Sequence, residues 1–310
     1  MKFPFILPVN RQFEAIGFGT NAVDYLIVVP EYPAFNSKIQ LSGYVQAAGG
    51  EVATTMVGLQ RLGLKTAYVG RFGTDEEAIF GLRSLTEEKV DIYFTERIAG
   101  ARTQIAFIVI DERSGERTVI WNRDKLLAYD ERDAPVDAVS LGKILHCTPH
   151  DTKACLRMAR AAKENGTIVS CDIDNIFEGV NELLPFVDIL ISSADFPEKL
   201  VGIKAKKESL REIKLRFGCK IVGMTLGEAG SMLLCENVFF ETDGFAVPGG
   251  CKDTTGAGDA FRVGLLYGLL KEETIETAAR MANAVAALKC RALGARTALP
   301  MQAELLDFLK

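Results

Sequence analysis

Histidine and tryptophan are almost missing from this chain, with two and one among 310 residues. The histidines, His146 and His150, have no H-E-x-x-H frame and no cysteine cluster beside them. They could stand one helical turn apart, but the reading they support is of polar residues in a loop or at a strand end, not a metal pair. Cysteine occurs seven times, yet the number is odd, the spacing is wide and no C-x-x-C occurs. That excludes a disulfide framework and a cysteine-ligated zinc site. Positive charge is not in excess: 36 Lys and Arg face 41 Asp and Glu, a net charge of −5. A general polyanion binder leans the other way, so no nucleic-acid partner is expected, and any anionic ligand must be held by local features. No apolar run approaches the roughly 18 residues of a membrane span. The opening MKFPFILP is too short and too proline-rich for a signal peptide. The expectation is a soluble cytoplasmic protein with reduced thiols and no membrane partner.

What is present is ordinary globular material: 48% apolar and 25% charged residues, enough to bury a site. β-rich runs alternate with helical ones. Strands are expected at Phe13–Phe18, 25–29, 39–44 and Thr66–Val69, and helices at 52–62 and 78–88. The second helix has Ile79, Leu82 and Leu85 at spacing three. Residues 104–110 and 117–121 read as a hairpin across a polar, glycine-containing connection at 111–116. Strands at 143–146, 167–172, 187–192 and 220–225 then alternate with helices at Thr152–Asn165 and Lys206–Phe217. A late hairpin at 231–241 precedes helices at 258–270 and 274–290. Such alternation implies an α/β fold with a mainly parallel sheet covered on both faces, here one domain over residues 1–310. Strands near 36–46 and 102–121 do not suit a buried parallel sheet. They are expected to form a small separate sheet, a lid over the ligand edge, with a plain edge hairpin as the alternative.

The sharpest chemical signal is GGCKDTTGAGDAF at residues 249–261. A strand-like run ends near Val247, and a glycine-rich turn, an acid and a helix follow. Gly256, Ala257 and Gly258 are small enough for backbone N–H groups to converge on one anion at a helix N-terminus. Asp259 falls in the first turn beside that site, where a carboxylate can take a proton from an attacking hydroxyl. Donors for the transferring group and a base for the nucleophile are what phosphoryl transfer requires. Two other patterns lead nowhere. Gly17-x-Gly19-x-x-Ala22 fits a dinucleotide fingerprint formally, but a strand follows where a helix must open. Gly58 and Gly63 precede Leu64-Lys65, so there is no Walker loop. Lys204, Lys206 and Lys207 read as a solvated helix start, and Met56 and Met158 as packing residues.

The string DTTGAGDAF resembles the C-terminal signature of the PfkB-type carbohydrate kinases, the ribokinase-like family. Gly49-Gly50, Arg61-Leu62-Gly63 and VGRFGTD at 69–75 resemble its N-terminal signature. The resemblance covers residues 13–300 and implies a ribokinase-like α/β/α fold with a β-sheet lid. It implies an ATP-dependent kinase acting on a sugar or related polyol, with Mg²⁺, and with K⁺ as a monovalent activator in many members. Residue by residue, Asp259 matches the catalytic base, and Gly256, Ala257 and Gly258 match the anion hole. Asp24, Gly49 and Gly50 match the sugar site. Thr225, Gly227 and Gly230 match the loop beside the nucleotide, and Asn283 an Asn near its base. Asp253 and Thr255, with carbonyls between residues 289 and 298 including Gly294, outline the monovalent-cation site. Pairing of lids across a two-fold in family members implies a homodimer.

Three departures qualify the match. Glu51 and Thr54 stand where many members place Asn, so the sugar site is altered. Ser193 and Asp195 replace an N-x-x-E motif, and Asp195 stands in for the acid near Mg²⁺, as in ketohexokinase-like members. VAALKC at 285–290, followed by Gly294 and Pro300, looks most like the sulfofructose kinase branch. A nucleoside kinase and a catalytically idle sugar or nucleotide sensor on the same fold remain as alternatives, since fold does not fix function. An intact Asp259 argues against the sensor, which has no chemical need for a base.

Overall fold

A computed structural model describes residues 1–310. The chain runs β1 (Phe13–Phe18), β2 (Ala22–Val29), β3 (Gly43–Gly49), α1 (Glu51–Arg61), β4 (Thr66–Val69), β5 (Arg71–Phe72), α2 (Glu76–Glu87) and β6 (Glu96–Arg97). It continues through β7 (Ile105–Asp111), β8 (Arg117–Asn122), β9 (Gly142–Cys147), α3 (Thr152–Asn165), β10 (Ile168–Ile173), α4 (Val180–Leu183), β11 (Ile189–Ser192) and α5 (Phe196–Val201). The last part comprises α6 (Lys206–Phe217), β12 (Ile221–Thr225), β13 (Ser231–Cys235), β14 (Val238–Thr242), α7 (Ala257–Leu270), α8 (Ile275–Lys289) and α9 (Gln302–Phe308).

Eight strands form the main sheet in the order β14-β13-β12-β11-β10-β9-β1-β4. Its members are parallel except at the β12–β13 and β13–β14 pairs. The central strands are apolar on both faces, as a parallel sheet sandwiched by helices demands, and β10 is buried at every residue. One face packs on α1, α7 and α8 through Val57, Leu265 and Val285. The other packs on α3 and α6 through Met158, Ala162 and Ile213. Local signals set the helix ends: the Asp75 carboxylate accepts from Ala78 N at the start of α2, and Thr274 accepts from Thr277 N at the start of α8. The result is a three-layer α/β/α architecture, as expected.

The lid is a separate four-stranded mixed sheet, β3-β2-β7-β8. Two expectations change here. The strand placed at 39–44 begins at Gly43 and ends at Gly49, because only that stretch pairs with β2, from Val28↔Gly43 to Ala22↔Gly49. The strand at 25–29 starts earlier, at Ala22, and belongs to the lid rather than the main sheet. Ile79, expected on the buried face of α2, is 59% exposed, while Leu85 is buried. The histidines do not share a helix: His146 lies within β9 and is buried, and His150 lies in the loop that follows.

Candidate active site

Lid and main sheet enclose a cavity of about 490 Å³ at the C-terminal ends of the parallel strands. Ligands in open α/β sheets bind at this edge. The floor is the loop entering α7. Gly256 has φ +76°, and a Cβ there would lie 2.7 Å from the Ala295 Cβ, so only glycine makes this turn without strain. The N–H groups of Gly256, Gly258 and Asp259 have no acceptor within the chain, whereas that of Ala257 donates to Thr254 O at 3.1 Å. Three free donors stand at the start of a 14-residue helix, an arrangement suited to an anion. The expected trio is thus shifted: Asp259 N–H is available and Ala257 N–H is not.

Asp259 lines the cavity and is 9% exposed. Burial pushes its carboxyl up to about 7; Asp172 adds to this and Arg262 opposes it. Arg262, three residues on and so on the same face of α7, pairs with Asp172 at the end of β10 and donates to Ile191 O at 3.0 Å. Burial raises Asp172 itself to about 6 against the pull of that guanidinium.

Asp24, third residue of β2, projects from the lid into the cavity. Its carboxyl is raised to about 7 by burial, with Arg296 opposing. A Cβ at Gly49, across the β2–β3 pair, would strike this carboxylate, which is why glycine stands there. Gly50 has φ +88° and starts α1, so Glu51 enters the cavity from the first turn. Glu51 is held well above the usual carboxylate range by burial, then by Asp172 and Asp259. Its Oε2 lies 3.6 Å from His150 Nδ1, and neither atom has a hydrogen-bond partner. Burial lowers the His150 pKa. Trp121 and Phe177 flank His150 with ring centroids 6.2 and 5.1 Å away.

Asp24, Gly50, Glu51, Ser193, Thr225, Thr255, Gly256, Gly258 and Asp259 therefore share one cavity. The others expected with them stand behind its wall. Gly49 supports Asp24, and Thr54 Oγ1 accepts from Arg296 Nε at 3.3 Å. Gly227 and Gly230 form a turn outside the lining, and Asn283 gives its amide to Thr242 O, Asp243 O and Ser231 Oγ at 3.0–3.2 Å. Asp195 is bound to Ser193 Oγ at 2.7 Å and paired with Lys199, at the surface. Nowhere do three His, Cys, Asp or Glu side chains gather to hold a metal ion. Any Mg²⁺ would depend mainly on ligand oxygens and water.

The monovalent-cation site does not fit its expected residues. Asp253 is fully buried, and its carboxylate accepts from Thr255 N and Gly294 N, both at 2.8 Å. Lys289 Nζ, also fully buried, donates to Asp253 O at 2.7 Å and lies 3.7 Å from Asp253 Oδ2. An ammonium thus stands where K⁺ was expected. Arg262, Asp172, Arg296 and the Lys289 side chain were not singled out in the sequence, and His150 was read there only as a polar residue of a loop or strand end. The available signal was a lone charge inside an otherwise apolar segment, as in AFRVGLL around Arg262 and AALKC around Lys289.

A helix start with three free backbone donors under a β lid, on a mainly parallel sheet, suits a phosphoryl-transfer enzyme. The chain belongs to the pfkB family of carbohydrate kinases, whose profile matches residues 18–302. It is 33% identical to an uncharacterized sugar kinase of Archaeoglobus fulgidus over 79% of this chain and 98% of that one. It is 26% identical to the ribokinase of Haemophilus influenzae, covering 94% and 97% of the two chains. A nucleoside kinase of Methanothermobacter thermautotrophicus is 25% identical, with 94% of each chain covered. Among solved structures, Arabidopsis thaliana ribokinase complexed with ribose and ATP superposes with a TM-score of 0.82 at 21% identity, over 96% of this chain and 99% of that one. Adenosine kinase from Sinorhizobium meliloti gives 0.85 at 21%, again over 96% and 99%. The protein is a sugar or nucleoside kinase, a phosphotransferase with a hydroxyl acceptor, in an ATP-dependent family.

Proposed function

We propose that the chain transfers the γ-phosphoryl of ATP to a hydroxyl of a neutral sugar or polyol, directly and in line. One observation carries the reading: a buried carboxylate, Asp259, adjoins three backbone donors that have no acceptor of their own. Asp259 takes the proton from the acceptor hydroxyl as its oxygen bonds to phosphorus and the bond to ADP breaks. The N–H groups of Gly256, Gly258 and Asp259 hold the phosphoryl oxygens. Asp24, Glu51 and His150 bind acceptor hydroxyls. A wall of Asp24, Glu51 and Asp174 suits a neutral polyol better than a sugar phosphate. Mg²⁺ would offset the charge of the phosphates, and of this chain's residues Asp195 would serve it as an outer carboxylate.

The nucleoside kinase stays as a second reading because Trp121 and Phe177 could pack a base at the acceptor end. A homodimer through the lid is part of the proposal: the outer lid face exposes Tyr44, Phe107 and Ile120. The test is ADP release in a coupled assay over neutral sugars, polyols, sugar phosphates and nucleosides, repeated with Asp259→Asn. Turnover on a neutral sugar that the variant loses supports the assignment. Turnover confined to nucleosides selects the second reading, and no turnover on any acceptor leaves the idle sensor.

A further inference from the structure

Lys289 is the last residue of α8, and nothing in the proposed chemistry uses it directly. It is nevertheless fully buried, and its ammonium lies directly behind the loop that makes the anion site. Long basic side chains are almost never fully buried without a specific partner. Here the partners are the carbonyl and carboxylate of Asp253. The same loop is tied on both sides: Lys252 N donates to Cys290 O, and Thr254 N to Gly115 O in the lid hairpin, at 2.9 and 3.2 Å. Two residues on, the chain makes the Gly256 turn into α7.

Some of the surrounding acceptors are engaged within the chain. Arg61 donates to Arg296 O and Leu299 O at 2.8 and 2.9 Å, and Arg291 to Leu288 O at 2.7 Å. Cys290 O and both Asp253 carboxylate oxygens accept from backbone N–H groups as well, so part of the expected cation shell is engaged within the chain.

We propose that Lys289 is a built-in monovalent cation: its ammonium replaces a bound K⁺, fixes the Asp253 peptide and so positions the free donors of Gly256, Gly258 and Asp259. Lys289 is a positioning residue, because it touches neither nucleotide nor acceptor. This inference rests on the kinase reading only for the choice of nucleotide as probe.

The test compares KCl, LiCl and tetramethylammonium chloride at equal ionic strength, on wild type and Lys289→Met. Two quantities are read: the affinity for a non-hydrolysable ATP analogue with Mg²⁺ by calorimetry, and Tm without nucleotide. Wild type should show the same affinity, within about twofold, and no K⁺-specific rise in Tm. Lys289→Met should lose roughly 10–100-fold in affinity without K⁺, the usual worth of hydrogen bonds to a charged group. KCl should restore about tenfold of that loss and raise the variant's Tm above its value in LiCl. A wild type whose Tm or affinity depends on K⁺ overturns the proposal, even if the variant fails to fold. So does a folded variant of unchanged affinity, or one that K⁺ does not rescue. Failure of wild type to bind the analogue in any salt strikes the kinase reading instead, while the Tm comparison still judges Lys289.

Discussion

Asp259 is buried among other carboxylates, and that burial joins reactivity to instability. With its carboxyl held at about 7, it suits the proposed role of base at neutral pH, and kcat/KM for the acceptor should rise through pH 7 and level off above it. Asp259→Asn should lower kcat by roughly 10²–10⁴, and a variant with near-wild-type kcat removes the assignment. Stability should move the opposite way. A carboxyl whose folded pKa is raised stabilises the fold while protonated, fully below pH about 4, and that contribution is lost as pH rises through about 7. Asp259→Asn should therefore melt about 2 °C or more above wild type at pH 8, with the gap closing at pH 5. Thermal unfolding at the two pH values checks this, and an equal gap at both contradicts it. On the lid side, Asp24→Ala removes an acceptor of two hydrogen bonds and should raise acceptor KM with little change in KM for ATP. An effect confined to ATP would mean that the two halves of the cavity are assigned the wrong way round.

Elements matter here chiefly at their ends. α1 and α7 both start at glycines of positive φ, and each start delivers a carboxylate, Glu51 or Asp259, to the cavity. Gly256 has two independent reasons to be glycine, its φ of +76° and the Ala295 Cβ 2.7 Å from where its own Cβ would lie. Gly256→Ala should cost about 1–2 kcal/mol from the backbone alone, and more if Ala295 cannot yield. Urea unfolding measures it, and a neutral result would mean that the turn relaxes. Gly256→Val should in addition abolish most phosphoryl transfer by displacing the free donors. Within the lid, β2 shows how element identity depends on partners. Its sequence, AVDYLIVV, suits a buried central strand, yet it pairs with β3 and β7 and carries Asp24 inward on alternate residues.

At the scale of the molecule, the main sheet supplies the floor of the cavity and the lid its roof, joined where Thr254 N meets Gly115 O. The lid's own core is small, just Leu26, Ala106, Ile108 and Ile110, and its outer face exposes Tyr44 at 76% and Ile120 at 58%. A second lid would cover that face and protect the β8 edge. Light scattering at micromolar concentration should give a dimer, and Phe107→Asp with Ile120→Asp should give a folded monomer. A monomeric wild type would remove the dimer but not the lid.

The sequence by itself determined the alternation of strands and helices, the lid hairpin and the glycine–acid string at the start of α7. These are local facts: periodicity, turn residues and contiguous motifs are written in neighbouring positions. The same locality pointed to Gly256, Ala257, Gly258 and Asp259 together, of which Gly256, Gly258 and Asp259 line one cavity. Only the tertiary structure decided that β2 leaves the main sheet, because strand pairing is a choice among distant partners. It also decided that Ala257 N–H is occupied while Asp259 N–H is free, since that depends on a single turn's dihedral angles. The pairing of Arg262 with Asp172 and the seating of Lys289 on Asp253 lay beyond the sequence for a related reason. Those partners are 90 and 36 residues apart, and what brings them together is the cost of burying a charge alone.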